Sequence, residues 1–321
     1  MSSTRALRIG TRASQLALWQ ANRVADLIRA QPGAPVVELV HIRTEGDART
    51  DVPLWQVGGR AFFTREIDRA QLAGEVDLAV HSLKDLTTVL EAGLALGAVL
   101  EREDPRDALL TRGARQLADL PAGARVGTSS LRRRAFLAHA RRDLALAELR
   151  GNVPTRIERL REGRYDAIVL AAAGLKRLGL EQHDSAYRPI GEFPPADSQG
   201  SIAVVRRAED AEAARWLGSL DHRATRLATA AERALLKRVE GGCQVPLGAL
   251  ATLQGERIRL EAVVCALDGS LRISADAETV LAGEGDATAV DLGERVGAEL
   301  LARGATRIIE LERAPRSAEL P

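Results

Sequence analysis

Over its first two-thirds the chain alternates between two hydrophobic rhythms. Short apolar runs at Leu7–Gly10, Val36–Arg43, Leu78–Val80, Ala108–Thr111, Arg125–Gly127 and Ala167–Leu170 have the length and composition of strands. Between them lie stretches with helical spacing. In the first, Ala17, Ala21, Val24 and Ile28 recur at steps of four, three and four, which puts them on one helix face. Alternation of this kind predicts an α/β protein with mainly parallel strands and right-handed crossovers.

Punctuation divides the chain further. Pro105 and the stretch Phe193–Gly200 (Phe-Pro-Pro-Ala-Asp-Ser-Gln-Gly) bracket a segment that reads as an inserted second α/β domain. The expected organisation is a discontinuous first domain over 1–103 and 201–220, and an inserted domain over 104–200. A small α+β domain over 221–321 completes it. In that last part a helix over Thr225–Val239 precedes strands at Leu247–Leu253, Arg257–Leu267 and Leu271–Ala275. Gln254-Gly255-Glu256 and Asp268-Gly269-Ser270 are hairpin turns between them, so this sheet is antiparallel. A final helix is expected over Thr288–Arg303, and a frayed tail after Glu312.

Composition narrows the function classes. At 321 residues, 45% hydrophobic and 28% charged, the chain has the make-up of a soluble globular protein with room for several cores. Aromatic residues make up only 3%, which argues against a stacking platform for nucleic-acid bases. Its 45 basic and 44 acidic residues leave a net charge of +1, and hence no global field to attract DNA or an anionic membrane. The 2 cysteines, Cys243 and Cys265, make no disulfide framework, and the 5 histidines are scattered, so no metal site is expected. No apolar leader precedes Leu7 and no run reaches membrane-spanning length, so the expected location is the cytoplasm.

The chemistry sits at the strand-to-helix junctions. In Gly127-Thr128-Ser129-Ser130-Leu131-Arg132-Arg133-Arg134, Ser129 or Ser130 is the natural helix cap. Three arginines then occupy the first turn, where the helix dipole disfavours cations. An anion shared by the helix N-terminus and the guanidinium groups is the simplest compensation. The arrangement recurs at Thr11-Arg12-Ala13-Ser14, at His81-Ser82-Leu83-Lys84-Asp85, and at Leu149–Arg156 with Asn152 as cap and Pro154 in the first turn. Open α/β sheets bind ligands outside the carboxyl ends of their strands, so these segments can converge on one cleft. Several arginines then imply a ligand with several carboxylates or phosphates. The alternative is that each is a solvated surface charge. A nucleotide is disfavoured, since no phosphate-cradling glycine loop is present.

Two further residues stand out. Asp85 is the one acid in these junctions with a lysine beside it, and reads either as a salt-bridged structural aspartate or as a catalytic acid among cations. Cys243 lies in Gly241-Gly242-Cys243-Gln244-Val245-Pro246, a turn that either presents its thiol or packs it as a small apolar group. Cys265, in the alternating run Ala262–Ala266, reads as core.

Taken together these motifs resemble the porphobilinogen deaminase (hydroxymethylbilane synthase) family. The resemblance runs from Ile9 to about Arg272. It rests on Gly10–Ser14 with Leu16–Gln20, His81–Asp85, Gly127–Arg133, Leu149–Arg156, Tyr165–Leu180 and Glu240–Gly248. It implies two doubly wound domains like those of periplasmic binding proteins, and a third domain carrying the cysteine. It also implies an enzyme that joins four porphobilinogens, with loss of ammonia, into a linear tetrapyrrole for porphyrin and heme biosynthesis.

In the family a dipyrromethane cofactor hangs from a cysteine thioether, and Cys243 is the matching position. By the same resemblance Asp85 is the catalytic acid. Ser82, Lys84, Thr128, Ser129, Arg132, Arg133, Arg156 and Gln199 hold the cofactor, and Arg12, Ser14, Arg150 and Arg177 the substrate. Arg60 and Phe63 belong to a loop. A monomer that passes its product to uroporphyrinogen-III synthase is implied as well.

The chain departs from the family pattern in places. Leu86-Thr87-Thr88 replaces Val-Pro-Thr, and Gly58–Phe63 reads Gly-Gly-Arg-Ala-Phe-Phe for Gly-Gly-Lys-Gly-Leu-Phe. Pro195–Ser201 reads Pro-Ala-Asp-Ser-Gln-Gly-Ser for Pro-Ala-Pro-Gly-Gln-Gly-Ala, and Val205-Arg206 stands where a glutamate is usual. Two rivals to an active deaminase follow: a divergent paralogue with altered turnover, and a non-catalytic polycarboxylate-binding module.

Overall fold

A computed structural model describes residues 5–48, 64–113, 116–181, 188–190, 193–239 and 245–313. The chain begins with β1 (Leu7–Thr11), α1 (Gln15–Arg29), β2 (Val37–His41), α2 (Glu45–Ala48), α3 (Arg65–Leu72), β3 (Leu78–Ser82) and β4 (Leu94–Val99). There follow β5 (Asp107–Thr111), β6 (Arg125–Gly127), α4 (Leu131–Ala140), β7 (Ala145–Ala147), α5 (Val153–Arg161), β8 (Ala167–Ala171), α6 (Ala172–Arg177) and β9 (Arg188–Ile190). The remainder comprises β10 (Ile202–Arg207), α7 (Ala211–Leu217), α8 (Arg223–Arg238), β11 (Leu247–Gln254), β12 (Arg257–Cys265), β13 (Arg272–Val280), α9 (Asp286–Ala302) and α10 (Ala305–Arg313).

These strands form two five-stranded sheets, ordered β2-β1-β3-β10-β4 and β7-β6-β8-β5-β9, and a three-stranded sheet, β11-β12-β13. In each large sheet four strands run in one direction and one runs against its neighbours: β10 against β3 and β4, β5 against β8 and β9. The expectation of mainly parallel strands thus holds, with one strand per sheet reversed. The reason lies in the two crossing segments. The chain leaves the first sheet at β4 and returns directly beside its own exit. Leu100 N donates to Ile202 O at 3.0 Å and Glu103 N to Gly200 O at 3.1 Å, so the returning strand must run opposite. Gly200, at φ +92°, sits where an added Cβ would lie 2.3 Å from Glu103 O, so no other residue fits this crossing.

The helical spacing of α1 has the expected consequence. Ala21, Val24 and Ile28 are fully buried against Leu7, Ile9, Leu78 and Val80 of the sheet. Ala17, the N-terminal member of that face, lies instead along a cleft. In the last sheet β13 extends to Val280, past the expected end at Ala275. Its exposed face is held by cross-strand ion pairs, Arg259–Asp276 at 3.1 Å and Arg257–Glu278 at 2.8 Å. Helices α8 and α9 cover the other face with Leu227, Ala231, Leu235, Leu292 and Val296. Helix α10 was not expected; Ile308 and Ile309 bury it in the same core. Cys265 is fully buried, and burial pushes its thiol up to about 11, as a core residue requires. Among the described residues no helix is long and apolar enough to cross a membrane.

Candidate functional site

The first half of the site lies where β1 and β3 end and α1 begins. A small cleft of about 70 Å³ there is lined by Arg12, Ser14, Gln20, His81, Ser82 and Asp85, among others. Ser14 caps α1 by accepting from Ala17 N at 3.3 Å, which holds Arg12 and Ser14 at the helix mouth. Gln20 is buried inside α1 and donates through Nε2 to Ser82 Oγ at 2.9 Å. Asp85 closes a single 3-10 turn, Leu83–Asp85. That turn is anchored by fully buried Leu83, whose N donates to Ser201 O at 3.0 Å. Burial first, and the Arg12 charge second, push the His81 imidazole down to about 4.

The second half is built on β5, α4 and the returning segment. Ser130 is the observed cap of α4, accepting from Arg133 N at 3.4 Å; Thr128 accepts from Ser130 N at 3.2 Å, and Ser129 Oγ donates to Leu149 O. Two of the arginines of the first turn are compensated by a carboxylate of the protein itself. Asp107, at the head of β5 and 5% exposed, accepts from Arg132 Nη2 at 2.6 Å and from Arg133 Nε and Nη2 at 3.0 and 2.8 Å. Arg134 turns away to Leu146 O at 3.2 Å. Burial pushes the Asp107 carboxyl up, but Arg132 and Arg133 together outweigh it and hold the group well below the usual carboxylate range.

Gln199 joins the two halves. Its Nε2 donates to Asp107 Oδ1 at 2.9 Å and Pro105 O at 2.8 Å, while its Oε1 accepts from Lys84 Nζ at 3.1 Å. One continuous chain of polar contacts thus runs from the turn bearing Asp85, through Lys84 and Gln199, to Asp107 and the two arginines. Burial, with Arg133 adding to it, lowers Lys84 to about 8. Arg156 donates to Gly151 O at 2.6 Å, and burial with Arg133 and Arg150 nearby lowers it to about 10. Arg177 stands apart on α6. It donates to Gly200 O at 2.5 Å, and its guanidinium lies 5.7 Å from the Trp19 ring centroid.

The structure therefore gathers Arg12, Ser14, Ser82 and Asp85 in one cleft, and Lys84, Gln199, Arg132 and Arg133 in one buried network. Arg150 and Arg156 lie within electrostatic reach of Arg133 or of each other. Thr128 and Ser129 stand at the mouth of α4. Cys243, Arg60 and Phe63 lie outside the described residues; α8 ends at Arg238 and β11 starts at Leu247, so Cys243 falls between them. Among the described residues no group of three or more His, Cys, Asp or Glu is placed to hold a metal ion.

Two acids in this region escaped the sequence reading. One is Asp107. The other is Glu232 of α8, fully buried, which accepts from Arg102 Nη1 at 2.6 Å, Ser198 N at 2.6 Å and Ala251 N at 2.7 Å. It ties α8 and β11 to the crossing segment. Both carried a signal: Asp107 opens an apolar strand, and Glu232 shares the apolar helix face of Ala228 and Leu235. An acid on a buried face demands a cation.

Two of the departures from the family pattern, at Leu86–Thr88 and Pro195–Ser201, lie here; Gly58–Phe63 lie outside the described residues. Arg233 of α8 donates to Thr87 O at 2.5 Å and Leu86 O at 3.4 Å, clamping the backbone just after Asp85. Burial pushes Asp197 up to about 6 against the pull of Arg233. Ser198 adopts φ +56°, the left-handed region that favours glycine. Ser201 is buried, and its Oγ has no partner among the described residues.

Fold and site together define an α/β protein with two five-stranded sheets and an appended α+β domain, in which buried arginines and a lysine gather near Asp85. Residues 7–215 match the family model "porphobilinogen deaminase, dipyromethane cofactor binding domain", and residues 226–302 match "porphobilinogen deaminase, C-terminal domain". The porphobilinogen deaminase of Pelobacter propionicus is 48% identical over 95% of this chain and 97% of its own length. Those of Syntrophobacter fumaroxidans and Geobacter metallireducens are 46% and 47% identical, over 95% and 94% of this chain and 97% and 93% of their own lengths. A solved extracellular-binding protein of a probable amino-acid ABC transporter, ytmK of Bacillus subtilis, is 12% identical with a TM-score of 0.44, over 68% of this chain and 91% of that one. The chain belongs to the porphobilinogen deaminase family.

Proposed function

We propose that this chain condenses four porphobilinogens stepwise, with loss of one ammonia per unit, and releases the linear tetrapyrrole by hydrolysis. The observation that carries the reading is the cleft that sets Asp85 beside Arg12 and Ser82, with Lys84 next to it in the turn. The donor set of this region, rich in cations, hydroxyls and helix N-termini, suits the carboxylates of the family's dipyrromethane. Ser82, Lys84, Thr128, Ser129, Arg132, Arg133, Arg156 and Gln199 would hold that group, with Cys243 as its thioether anchor. When bound, it supplies the pyrrole carbon to which the first unit is joined.

The chain's own residues then act on the incoming porphobilinogen. Arg12, Ser14, Arg150 and Arg177 bind its acetate and propionate. The Asp85 carboxylate accepts a hydrogen bond from the pyrrole N–H and stabilises the positive charge that grows as ammonia departs. Lys84 and Gln199 keep the Asp85 turn registered against the Asp107 network. The domain division given above, a monomeric cytoplasmic enzyme, and transfer of product to uroporphyrinogen-III synthase belong to the same reading.

Asp85→Asn tests it. Turnover of porphobilinogen should fall by about 10²–10⁴-fold, the range for losing a positioned acid or base, while the thermal melt stays within error of the parent. Near-parental turnover removes Asp85 from the mechanism.

A further inference from the structure

Asp85 ends a turn of only three residues, so its place depends on what holds the backbone on either side. On the entry side Leu83 is fully buried, and its N donates to Ser201 O at 3.0 Å. On the exit side Leu86 N closes the turn on Leu83 O at 3.1 Å. The chain then runs without helix or strand until β4 begins at Leu94. Such a stretch has no ladder or helical bonds of its own to fix it.

The bonds that fix it come from another part of the fold. Arg233 of α8, 146 residues further along the chain, donates from Nη2 to Thr87 O at 2.5 Å and from Nη1 to Leu86 O at 3.4 Å. A planar guanidinium that forks onto two successive carbonyls sets their direction as well as their position. The base of this fork is itself held. Its neighbour Glu232 accepts from Arg102, Ser198 and Ala251, and Ala231 and Leu235 bury α8 against the three-stranded sheet. The Asp197 carboxylate lies close enough to Arg233 to favour its cation.

We infer that Arg233 is a positioning residue for Asp85. It acts from the helix of the C-terminal domain on the backbone that leaves the Asp85 turn, and so sets where the carboxylate stands in its cleft. The inference rests on the reading of Asp85 as the group that stabilises the charge growing as ammonia departs. A contact that only stabilised the fold would leave the rate of each folded, cofactor-loaded molecule unchanged.

The test uses the full-length protein carrying its cofactor, with loading checked by intact mass and rates given per loaded molecule. Arg233→Met keeps an apolar stem and removes both donors. It should lower kcat for porphobilinogen by about tenfold or more, the scale of misplacing a reacting group by a fraction of an ångström, and leave KM within about twofold. Arg233→Lys, whose ammonium can reach one carbonyl, should recover part of the loss. In an Asp85→Asn background Arg233→Met should cost less than about twofold, because a residue that acts through Asp85 has nothing more to lose. A kcat within twofold of the parent, a loss confined to KM, or losses that multiply in the double variant overturn the inference. Where Arg233→Met yields no folded protein, Arg233→Lys decides: a lowered kcat at parental KM supports the inference, and a parental kcat overturns it. Asp85→Asn with parental turnover, or a parent that turns over no porphobilinogen, overturns the underlying reading and the inference with it.

Discussion

Asp107→Asn is the most demanding perturbation of this site, because the substitution keeps shape and removes only charge. Asp107 accepts from Arg132 at 2.6 Å, from Arg133 at 3.0 and 2.8 Å, and from Gln199 at 2.9 Å, and its side chain is 7% exposed. Asparagine keeps one acceptor oxygen but turns an N–H toward guanidinium donors, leaving two buried cations without a counter-charge. Removing one partner of a buried pair costs ~3–5 kcal/mol, and the retained oxygen places the expected loss at the lower end, ~3 kcal/mol. That is a large share of the ~5–15 kcal/mol that stabilises a typical domain, and corresponds to a drop of about 6–12 °C in melting temperature.

The pH dependence follows from the direction of the shift. Asp107 is held below its unfolded value, so its contribution is fully present above about pH 4 and is lost only as pH falls further. Thermal and urea unfolding by circular dichroism from pH 7 to pH 3 reads both effects. The gap between parent and variant should be constant from pH 7 to about pH 4 and narrow below it. A gap under about 1 kcal/mol at pH 7, or one that closes between pH 6 and 4, refutes the network as described.

The departures at the crossing segment yield further predictions. Ser198→Gly should stabilise by about 0.5–1 kcal/mol in urea melts, since relief of a left-handed backbone outweighs the extra entropy of glycine. Ser201→Ala removes a buried hydroxyl with no partner among the described residues and should be neutral or stabilising by about 1 kcal/mol in the same assay. Asp197 is raised to about 6, so the folded state binds more protons than the unfolded one between about pH 4 and 6, and stability falls as pH rises through that window. Asp197→Asn should therefore be more stable than the parent by about 1–2 kcal/mol at pH 8 and lose this decline, as a pH series of melts would show.

Most of what was legible in the sequence was local. The steps between Ala21, Val24 and Ile28 predict a buried face because periodicity and burial share one geometry. The turns at Gly255 and Gly269 are legible for a related reason: their φ values of +60° and +71° are ones that glycine tolerates. Arg12 and Asp85 lie just past strand ends and Ser82 closes one, where α/β sheets place their ligands, and the structure brings all three to one cleft.

What was missed is non-local. The reversed directions of β5 and β10 depend on the chain re-entering beside its own exit, which no apolar run encodes. The excess of arginine at the start of α4 was read as calling for a ligand anion. The anion supplied by the fold, Asp107, lies 25 residues upstream of Arg132, beyond any spacing rule. Glu232 serves a crossing segment more than 30 residues away, at Ser198.

The central claim is that this chain carries and extends a covalently held pyrrole primer on Cys243. Intact-protein mass spectrometry after incubation with porphobilinogen tests it directly. The parent should carry a covalent addition equal to two porphobilinogens less two ammonias, and Cys243→Ser should carry none. A parent protein that stays at its unmodified mass, or a serine variant that keeps the addition, contradicts the account.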